Sequence, residues 1–267
     1  MASRSAPAKE DVADLELVKR ALAIELQCAQ DTQHPMRFRL LKSSPRLSTT
    51  KDIFETKDGA VARLIDINHH PLTAADEQKE QARLNGLLAD PGKQRHRKQA
   101  EVEDTERVLK VMRALPAAFH YQYIGSAVGP TGKIDRFSFR PNADFDPPDL
   151  ETEALTAMTG ELWIDAAQGR VTRLEGHLQD DVNFGWGVLG RLDKGGWILI
   201  EQADVGNHAW RMVHFQMVMN GRVLFKGRNF DSEEIETDFS AVPLGTSYVQ
   251  AIQILRGETD KGDQAGR

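Results

Sequence analysis

The sequence lacks the features that would assign it to a disulfide-bonded, membrane-spanning or nucleic-acid-binding class. Its 267 residues include one cysteine, Cys28, so no disulfide can form within the chain. No apolar run approaches the ~20 residues that a transmembrane helix needs, and residues 1–10 lack the apolar core of an export signal. The formal net charge of −6 gives a mildly acidic surface, so we predict that nucleic acid is not a partner.

A recognisable catalytic motif is also lacking. We find no Gly-x-Ser-x-Gly elbow, no phosphate-binding loop and no cysteine–histidine nucleophile pair. His69 and His70 are adjacent, so in a strand they would point to opposite faces and could not share a metal ion. We therefore predict that the protein is not an enzyme and uses no cofactor or metal. A hydrolase with scattered acids and histidines is the alternative.

What is present is the composition of an ordinary globular protein, with 40% hydrophobic and 28% charged residues. No linker-like segment divides the chain, so we predict a single domain over residues 1–257. The charged, glycine-rich residues 258–267 are predicted to form a disordered tail.

Three segments carry helical patterns. Residues 9–29 have apolar side chains three and four positions apart, which predicts an amphipathic helix. Thr73, followed by acids, is typical of a helix start. Two helices are predicted over about 73–114, inserted between strands, and the second spans 97–114 and ends before Pro116.

About 10–11 strands are predicted from alternating apolar residues. The earlier strands are predicted around Met36 and on both sides of Asp58-Gly59. Two more follow, one that begins at Phe119 and one that ends at Phe139.

The C-terminal half contains tight-turn residues between strand-like runs, which is typical of consecutive hairpins. Turns are predicted at Asp165–Gly169, at Asp193–Gly196 and at Asn220-Gly221. Consecutive hairpins form a meander, which predicts one antiparallel sheet. The predicted strands are 153–165, 169–179, 183–193, 196–205, 208–219 and 222–230.

Neither face of the strand over 208–219 is cleanly polar, and it carries Met212, Met217 and Met219. A sheet with one solvated face would alternate more sharply, so both faces are predicted to be covered. Flexible methionines suit a cavity that accepts variable chains. Ordinary core packing on both faces is the alternative.

The order of several segments resembles that of the lipoprotein-localisation factors, a group of LolA/LolB-like bacterial envelope proteins that includes members of uncharacterised role. The resemblance covers roughly residues 50–240 and is a pattern of strands and turns without an active-site signature. The segments that carry it follow an N-terminal helix and precede a final strand with Trp210. They are Thr56-Lys57-Asp58-Gly59, Arg63-Leu64-Ile65, Pro71-Leu72-Thr73, Gly160–Asp165, Val171–Gly176 and Phe184–Gly187.

The resemblance implies an α+β fold in which a strongly curved antiparallel sheet, an incomplete β-barrel, is covered by helices around an apolar cavity. The implied function is non-catalytic binding of lipid or lipoprotein acyl chains by a carrier or chaperone of the periplasm or cell envelope. An envelope sensor or protein-interaction domain with the same fold, whose partner is a protein, is the alternative.

Six residues are predicted to line that cavity. A register slip of one position would exchange each of them for its neighbour. They are Trp163, Leu174, Leu199, Trp210, Met212 and Phe225.

Overall fold

The computed structural model describes residues 9–184, 190–206, 208–223 and 226–257. The predicted α+β class is confirmed, with an open antiparallel sheet. The described residues form five α-helices, which are α1 Lys9–Ala29, α2 Ala74–Ala89, α3 Pro91–Ala118, α4 Leu150–Glu153 and α5 Tyr248–Leu255. They also form 13 strands, which are β1 Met36–Ser44, β2 Leu47–Phe54, β3 Val61–Ile67, β4 His70–Pro71, β5 Phe119–Gly129, β6 Gly132–Pro141, β7 Met158–Asp165, β8 Val171–Leu178, β9 Val182–Phe184, β10 Gly190–Leu192, β11 Trp197–Asp204, β12 Trp210–Val223 and β13 Lys226–Ala241.

These residues belong to two compact units. The first comprises the described residues of Met1–Gln30 and Arg107–Asp231, and the second those of Asp31–Glu106 and Ser232–Arg267. Helix α3 and strand β13 contribute residues to both units. The single domain over 1–257 stays a prediction, and cooperative unfolding can test it.

In the first unit, the strands pair in the order β12-β11-β8-β7-β6-β5. Strand β8 pairs directly with β11, where Leu174 lies opposite Ile200. The short strands β9 and β10 therefore leave this ladder, and β10 pairs with β12. The predicted uninterrupted meander is wrong at this point, because β9 and β10 form a side excursion between β8 and β11.

One face of this sheet is apolar and forms the core of the first unit. Phe137 and Leu162 lie opposite each other and are each 1% exposed. Helix α1 packs against the same core through Val18 and Leu22. The spacing of these apolar residues explains why the predicted helix over 9–29 is confirmed as α1.

In the second unit, the strands pair in the order β4-β3-β2-β1-β13. Helix α2 begins as predicted, with the Thr73 hydroxyl accepting from the Asp76 amide. The core of the second unit joins residues from strands and helices that are far apart in sequence. The buried apolar residues are Phe54, Val61, Leu84, Leu87, Val242, Ala251, Ile252 and Leu255.

The boundaries of α3 differ from the prediction at both ends. The helix begins at Pro91, where the Asp90 carboxylate accepts from the Gly92 amide. Proline suits a first helical position because its missing N–H has no intrahelical partner there. The helix also continues past Pro116 to Ala118, since a proline in the last turn disturbs only the end of the helix.

The predicted turn at Asn220-Gly221 is wrong. Strand β12 passes through both residues, and Gly221 pairs with Leu192 of β10. A side-chain carbon at Gly221 would collide with the Arg191 carbonyl oxygen. Glycine is present here because another backbone approaches closely. Close approach, like a bend or a bulge, is a common reason for glycine within a strand.

Several other elements differ from the prediction. Residues 150–157 form α4 and a 3₁₀ turn, Ala154–Ala157, where a strand was predicted from 153. Strand β13 extends to Ala241, and helix α5 follows it unpredicted. The predicted tail 258–267 and the glycines around Trp186 lie outside the described residues.

Candidate functional site

The first unit contains a cavity of about 700 Å³ at the end of its sheet. It lies where β5 and β6 meet helix α1 and the last turn of α3. Such a volume falls within the range of about 300–1,000 Å³ that is typical of small-molecule sites. Thirteen residues line it, which are Leu15, Lys19, Pro116, Ala117, Phe119, His120, Tyr121, Gln122, Ser138, Phe139, Arg140, Asn142 and Thr159.

Two hydrogen bonds hold the helices in place around the cavity. The Asp14 carboxylate of α1 accepts from the Tyr123 amide of β5 at 2.8 Å. The Tyr121 hydroxyl donates to the Leu115 carbonyl of α3 at 2.9 Å. Burial raises the pKa of Tyr121, so its hydroxyl keeps its proton and remains a donor.

Three aromatic side chains form the floor of the cavity. The rings of Phe119 and Phe139 have centroids 4.6 Å apart, and the Tyr121 ring lies 6.2 Å from each. The Phe139 ring lies over Gly160 of β7, where an added side-chain carbon would be 2.7 Å from Phe139 Cζ. The absence of a side chain at Gly160 thus sets the position of the floor.

Polar side chains form the rim of the cavity. His120 and Arg140 are directly opposite each other on β5 and β6 and are both exposed. They alternate with the buried aromatic residues, so their side chains lie on the other face of the sheet from the three rings. Lys19 reaches the rim from α1 and pairs with Glu16 at 2.9 Å. The described lining contains no aspartate or glutamate, so the rim is electropositive.

The opposite face of the first unit's sheet carries a network of charged groups. Arg136 and Arg173 lie on the Trp163 ring, with each guanidinium carbon about 5 Å from the ring centroid (4.9 and 5.3 Å). Arg136 donates to Glu161 at 2.7 Å, and the Trp163 indole donates to the same carboxylate. This face is therefore polar, which differs from the prediction, made from the strand over 208–219, that both faces are covered.

Ion pairs set the protonation of this network. Burial opposes the charge of Arg173, but hydrogen bonds and charge from Glu175 and Glu201 outweigh it and raise the pKa of Arg173. The hydrogen bond from Arg173 lowers the pKa of Glu175. His214 completes the network through Glu201 at 3.0 Å. Each of these carboxylates already has a cationic partner, so the network contributes to structure without an available reactive group.

A buried ion pair fixes α1 to the sheet. The Glu25 carboxylate accepts from Arg170 at 2.8 and 2.9 Å, and from the Val171 amide at 2.9 Å. Gln202 of β11 donates to the same carboxylate at 3.1 Å. Burial opposes the charge of Arg170, but the bond and charge of Glu25 raise its pKa above the ordinary value.

The predicted lining residues are distributed over both faces of the sheet. Leu174 packs against the core below α1. Trp210 contacts Arg170 and donates to Gln168, and Met212 lies opposite Gln202, so both are on the side of Glu25.

Trp163 and Leu199 lie on the polar face, since Trp163 pairs with Arg173 and Leu199 with Glu175. Phe225 lies outside the described residues. None of the five described residues is among the 13 that line the cavity.

Sequence reasoning predicted the strands that became β5 and β6 and also an apolar cavity, but it placed the cavity among other residues. The cationic rim depends on strand register, which places His120 opposite Arg140 although they are 20 positions apart in the chain. The turn between Gly129 and Gly132 indicates the register, because counting residues away from the turn along both strands gives the cross-strand partners. A bulge between Tyr123 and Gly125 shifts that register by one residue.

Within the described residues, no group of three or more histidines, cysteines or acids is placed to hold a metal ion. None of the helices described is long and apolar enough to span a bilayer.

No protein-family model matches the chain, and no curated protein sequence matches it. Comparison with solved structures finds a crystal structure of a domain assigned as an outer membrane lipoprotein-sorting protein, from Vibrio parahaemolyticus. The chain is similar to that domain. The similarity covers 92% of this chain and 99% of that one, with 9% identity and a TM-score of 0.35.

Proposed function

We propose that this protein is a non-catalytic carrier or chaperone that binds an acyl chain of a lipid or lipoprotein. The cavity of the first unit is the proposed binding site. The observation that supports the proposal is the combination of about 700 Å³ of space with a floor of three aromatic rings. We propose the periplasm or cell envelope as its location, because acyl chains of envelope lipids and lipoproteins must be shielded from water there.

Burial of the chain would supply the affinity. Each buried methylene contributes about 0.8 kcal/mol, so a chain with about fifteen buried methylenes contributes roughly 12 kcal/mol. Association and ordering cost at least about 4 kcal/mol of this. We therefore expect an affinity no tighter than about micromolar, which suits a carrier that must release its ligand.

Movement of α1 is the proposed route by which the cavity enlarges. Helix α1 covers the apolar face that continues from the cavity floor, and Leu174 lies on that face. Trp210 and Met212 lie near the Glu25 anchor of the same helix. We propose these three residues as further lining of a site from which α1 has moved away.

Native mass spectrometry of the freshly purified protein tests the proposal. We expect an added hydrophobic mass, or uptake of one oleate per chain after incubation. Gln122→Trp places a large side chain at the exposed cavity wall and should lower oleate uptake, whereas Gln179→Trp, at an exposed position outside the lining, should not. An unchanged apo mass after incubation with oleate and with phospholipid would contradict the proposal.

A protein-interaction role is the second candidate, because β5 is an edge strand with exposed apolar side chains. Tyr123, Ile124 and Val128 are 42%, 44% and 93% exposed. An extended segment of another protein can add to such an edge. A photoreactive residue at position 128 should then crosslink one envelope protein, and one at the exposed Val102 of α3 should not. Equal labelling from both positions would argue against this role.

A further inference from the structure

A cluster of cations lies in the second unit, where helix α2 ends and helix α3 begins. Four lysines and arginines occur within six residues at the start of α3, and one more lysine lies on the loop between β2 and β3 that α3 contacts. All five are exposed. We call this surface the basic corner, and its residues are Lys57, Lys93, Arg95, Arg97 and Lys98.

Two residues of α3 hold the basic corner in place. Gln94 is 2% exposed and donates from Nε2 to the Asp58 carbonyl at 3.1 Å. Lys98 donates from Nζ to the Lys57 carbonyl at 2.7 Å. Gln94 and Lys98 are four positions apart and share the side of the helix that contacts the loop. Arg95 is turned about 100° from Gln94 around the helix axis, so it is directed away from that contact.

The charge of the basic corner is not neutralised by the protein. In the part of the chain that the structure describes, none of its five cations forms an ion pair. The acids at the two ends of the run bind backbone amides instead. Asp90 accepts from the Gly92 amide at 2.9 Å, and Glu101 accepts from the Ala60 amide at 3.0 Å. The cations are therefore available to a negatively charged partner.

This concentration of positive charge does not serve stability. Partial burial of Arg97, and next the charge of Arg83, lower the pKa of Arg97 against the opposing effects of Glu101 and Glu80. The run also begins with Lys93 in the first turn of α3, where the helix dipole favours acids over bases. An arrangement that is unfavourable in both respects indicates a role in binding an anion.

We propose that the basic corner docks the protein on a membrane surface that contains anionic phospholipid. The choice of a lipid surface rests on the proposed function, since a carrier of acyl chains must meet a membrane to collect or release them. Clustered lysines and arginines are attracted to such a surface, which offers many phosphate groups side by side. Nucleic acid is a less suitable partner, because residues 74–106 contain no aromatic side chain on which bases could stack.

Co-sedimentation of the full chain with lipid vesicles tests the proposal. One preparation contains phosphatidylcholine alone, and the other contains phosphatidylcholine and phosphatidylglycerol in equal parts. Each lysine or arginine near an anionic surface contributes about fivefold, so the partition coefficient should be at least about a hundredfold higher for the anionic vesicles. Raising the ionic strength from about 0.1 to 1 M should remove this preference, since the Debye length falls from about 10 to 3 Å.

Variants then assign the preference to the basic corner. Lys93→Gln with Arg95→Gln removes two exposed cations and should lower partition onto anionic vesicles about 25-fold. The matched control is Arg46→Gln with Lys110→Gln, which removes two exposed cations elsewhere and changes the net charge equally. Its partition should stay within about twofold of the unmodified protein, because distant charges are screened. Oleate uptake in native mass spectrometry should be unchanged in both double variants, which also shows that they are folded.

The outcomes separate this inference from the proposed function. Equal binding to the two kinds of vesicle, or equal losses in the two double variants, would overturn docking through the basic corner, while oleate uptake would leave the carrier standing. Tighter binding to a DNA duplex than to anionic vesicles would also overturn docking, because the partner would then be nucleic acid. A preference for anionic vesicles that Lys93→Gln with Arg95→Gln removes, in a protein that takes up no oleate, would support docking and overturn the carrier.

Discussion

Gly160 in β7 leaves no room for a side chain on the face where the cavity floor lies. A carbon added there would collide with the Glu175 carbonyl oxygen of β8 and approach Phe139 Cζ to 2.7 Å. The first contact is with backbone, which cannot rotate away, and the second is with the aromatic floor itself. The residue therefore connects strand pairing to the shape of the cavity.

We expect Gly160→Ala to lower the free energy of unfolding by about 3 kcal/mol, since an overpacked site must displace its neighbours. Urea denaturation measures the loss. Gly227→Ala is the matched control in β13, where nothing lies within 4 Å of the added carbon, and its effect should stay within about 0.5 kcal/mol. Equal losses in the two variants would show that lack of space is not the reason for Gly160.

Glu80 in α2 is a buried acid whose carboxylate is fully engaged. It is 5% exposed and accepts from Arg83 at 2.6 and 2.7 Å and from the Leu64 amide at 2.9 Å. Burial alone would raise the pKa of Glu80, but these hydrogen bonds and the charges of Arg83 and Arg63 lower it below its ordinary 4.5. The folded state thus binds the Glu80 proton less readily than the unfolded state does.

We expect the stabilising effect of Glu80 to be present above its ordinary pKa of 4.5 and to disappear as the pH falls below it. At pH 7, Glu80→Gln should lose about 1–3 kcal/mol of unfolding free energy, the range for hydrogen bonds to charged groups. The difference from the unmodified protein should shrink as the pH falls below 4.5 in thermal melts. Glu103→Gln, at an exposed position on α3, serves as the control. A difference that does not change with pH would contradict the prediction.

At the scale of elements, α1 is attached to the sheet by a charge that is almost completely buried. The side chains of Arg170 and Glu25 are 9% and 6% exposed. Removing one partner of a buried pair leaves the other charge uncompensated, which costs about 3–5 kcal/mol. The pair therefore determines how firmly α1 covers the apolar face.

We expect Glu25→Gln to lower the free energy of unfolding by about 3 kcal/mol and to speed amide hydrogen exchange in α1. The reason is that Arg170 loses its counter-charge. Glu16→Gln, which breaks an exposed pair on the same helix, should cost no more than about 1 kcal/mol. The double variant Glu25→Leu with Arg170→Met should recover most of the loss, because no buried charge remains. A double variant as unstable as Glu25→Gln would rule out the buried charge as the cause.

Elements with strong local signals were predictable, and those decided by tertiary contacts were not. Helix α1 follows from its apolar spacing, and α2 from the cap at Thr73. Helix α5 was missed because it has eight residues, although the Ser247–Gln250 capping box that starts it can be read in the sequence.

Asn220-Gly221 was misread because glycine serves both tight turns and close backbone approach, and only the pairing partner decides between them. The cavity rim depends on register across β5 and β6 in the same way. Fold class could therefore be predicted from the sequence more completely than the site.

At the scale of the whole molecule, the chain offers a natural probe of how its two units unfold. Of its four tryptophans, those at positions 163, 197 and 210 belong to the first unit, and Trp186 lies outside the described residues. Tryptophan fluorescence thus reports unfolding of that unit, whereas far-UV circular dichroism reports helices and strands of both. A core change in the second unit has no tryptophan near it in the sequence, so any effect on fluorescence must reach the first unit through cooperative folding.

Ile252 of α5 is 0% exposed in the core of the second unit. We expect Ile252→Ala to cost about 2–5 kcal/mol, because it leaves a cavity. If residues 1–257 fold as a single domain, the fluorescence and dichroism midpoints in urea should fall together and by the same amount. Gln253→Ala, at the exposed neighbouring position, should leave both within about 0.5 kcal/mol. An unchanged fluorescence midpoint beside an earlier dichroism transition would mean that the two units unfold independently.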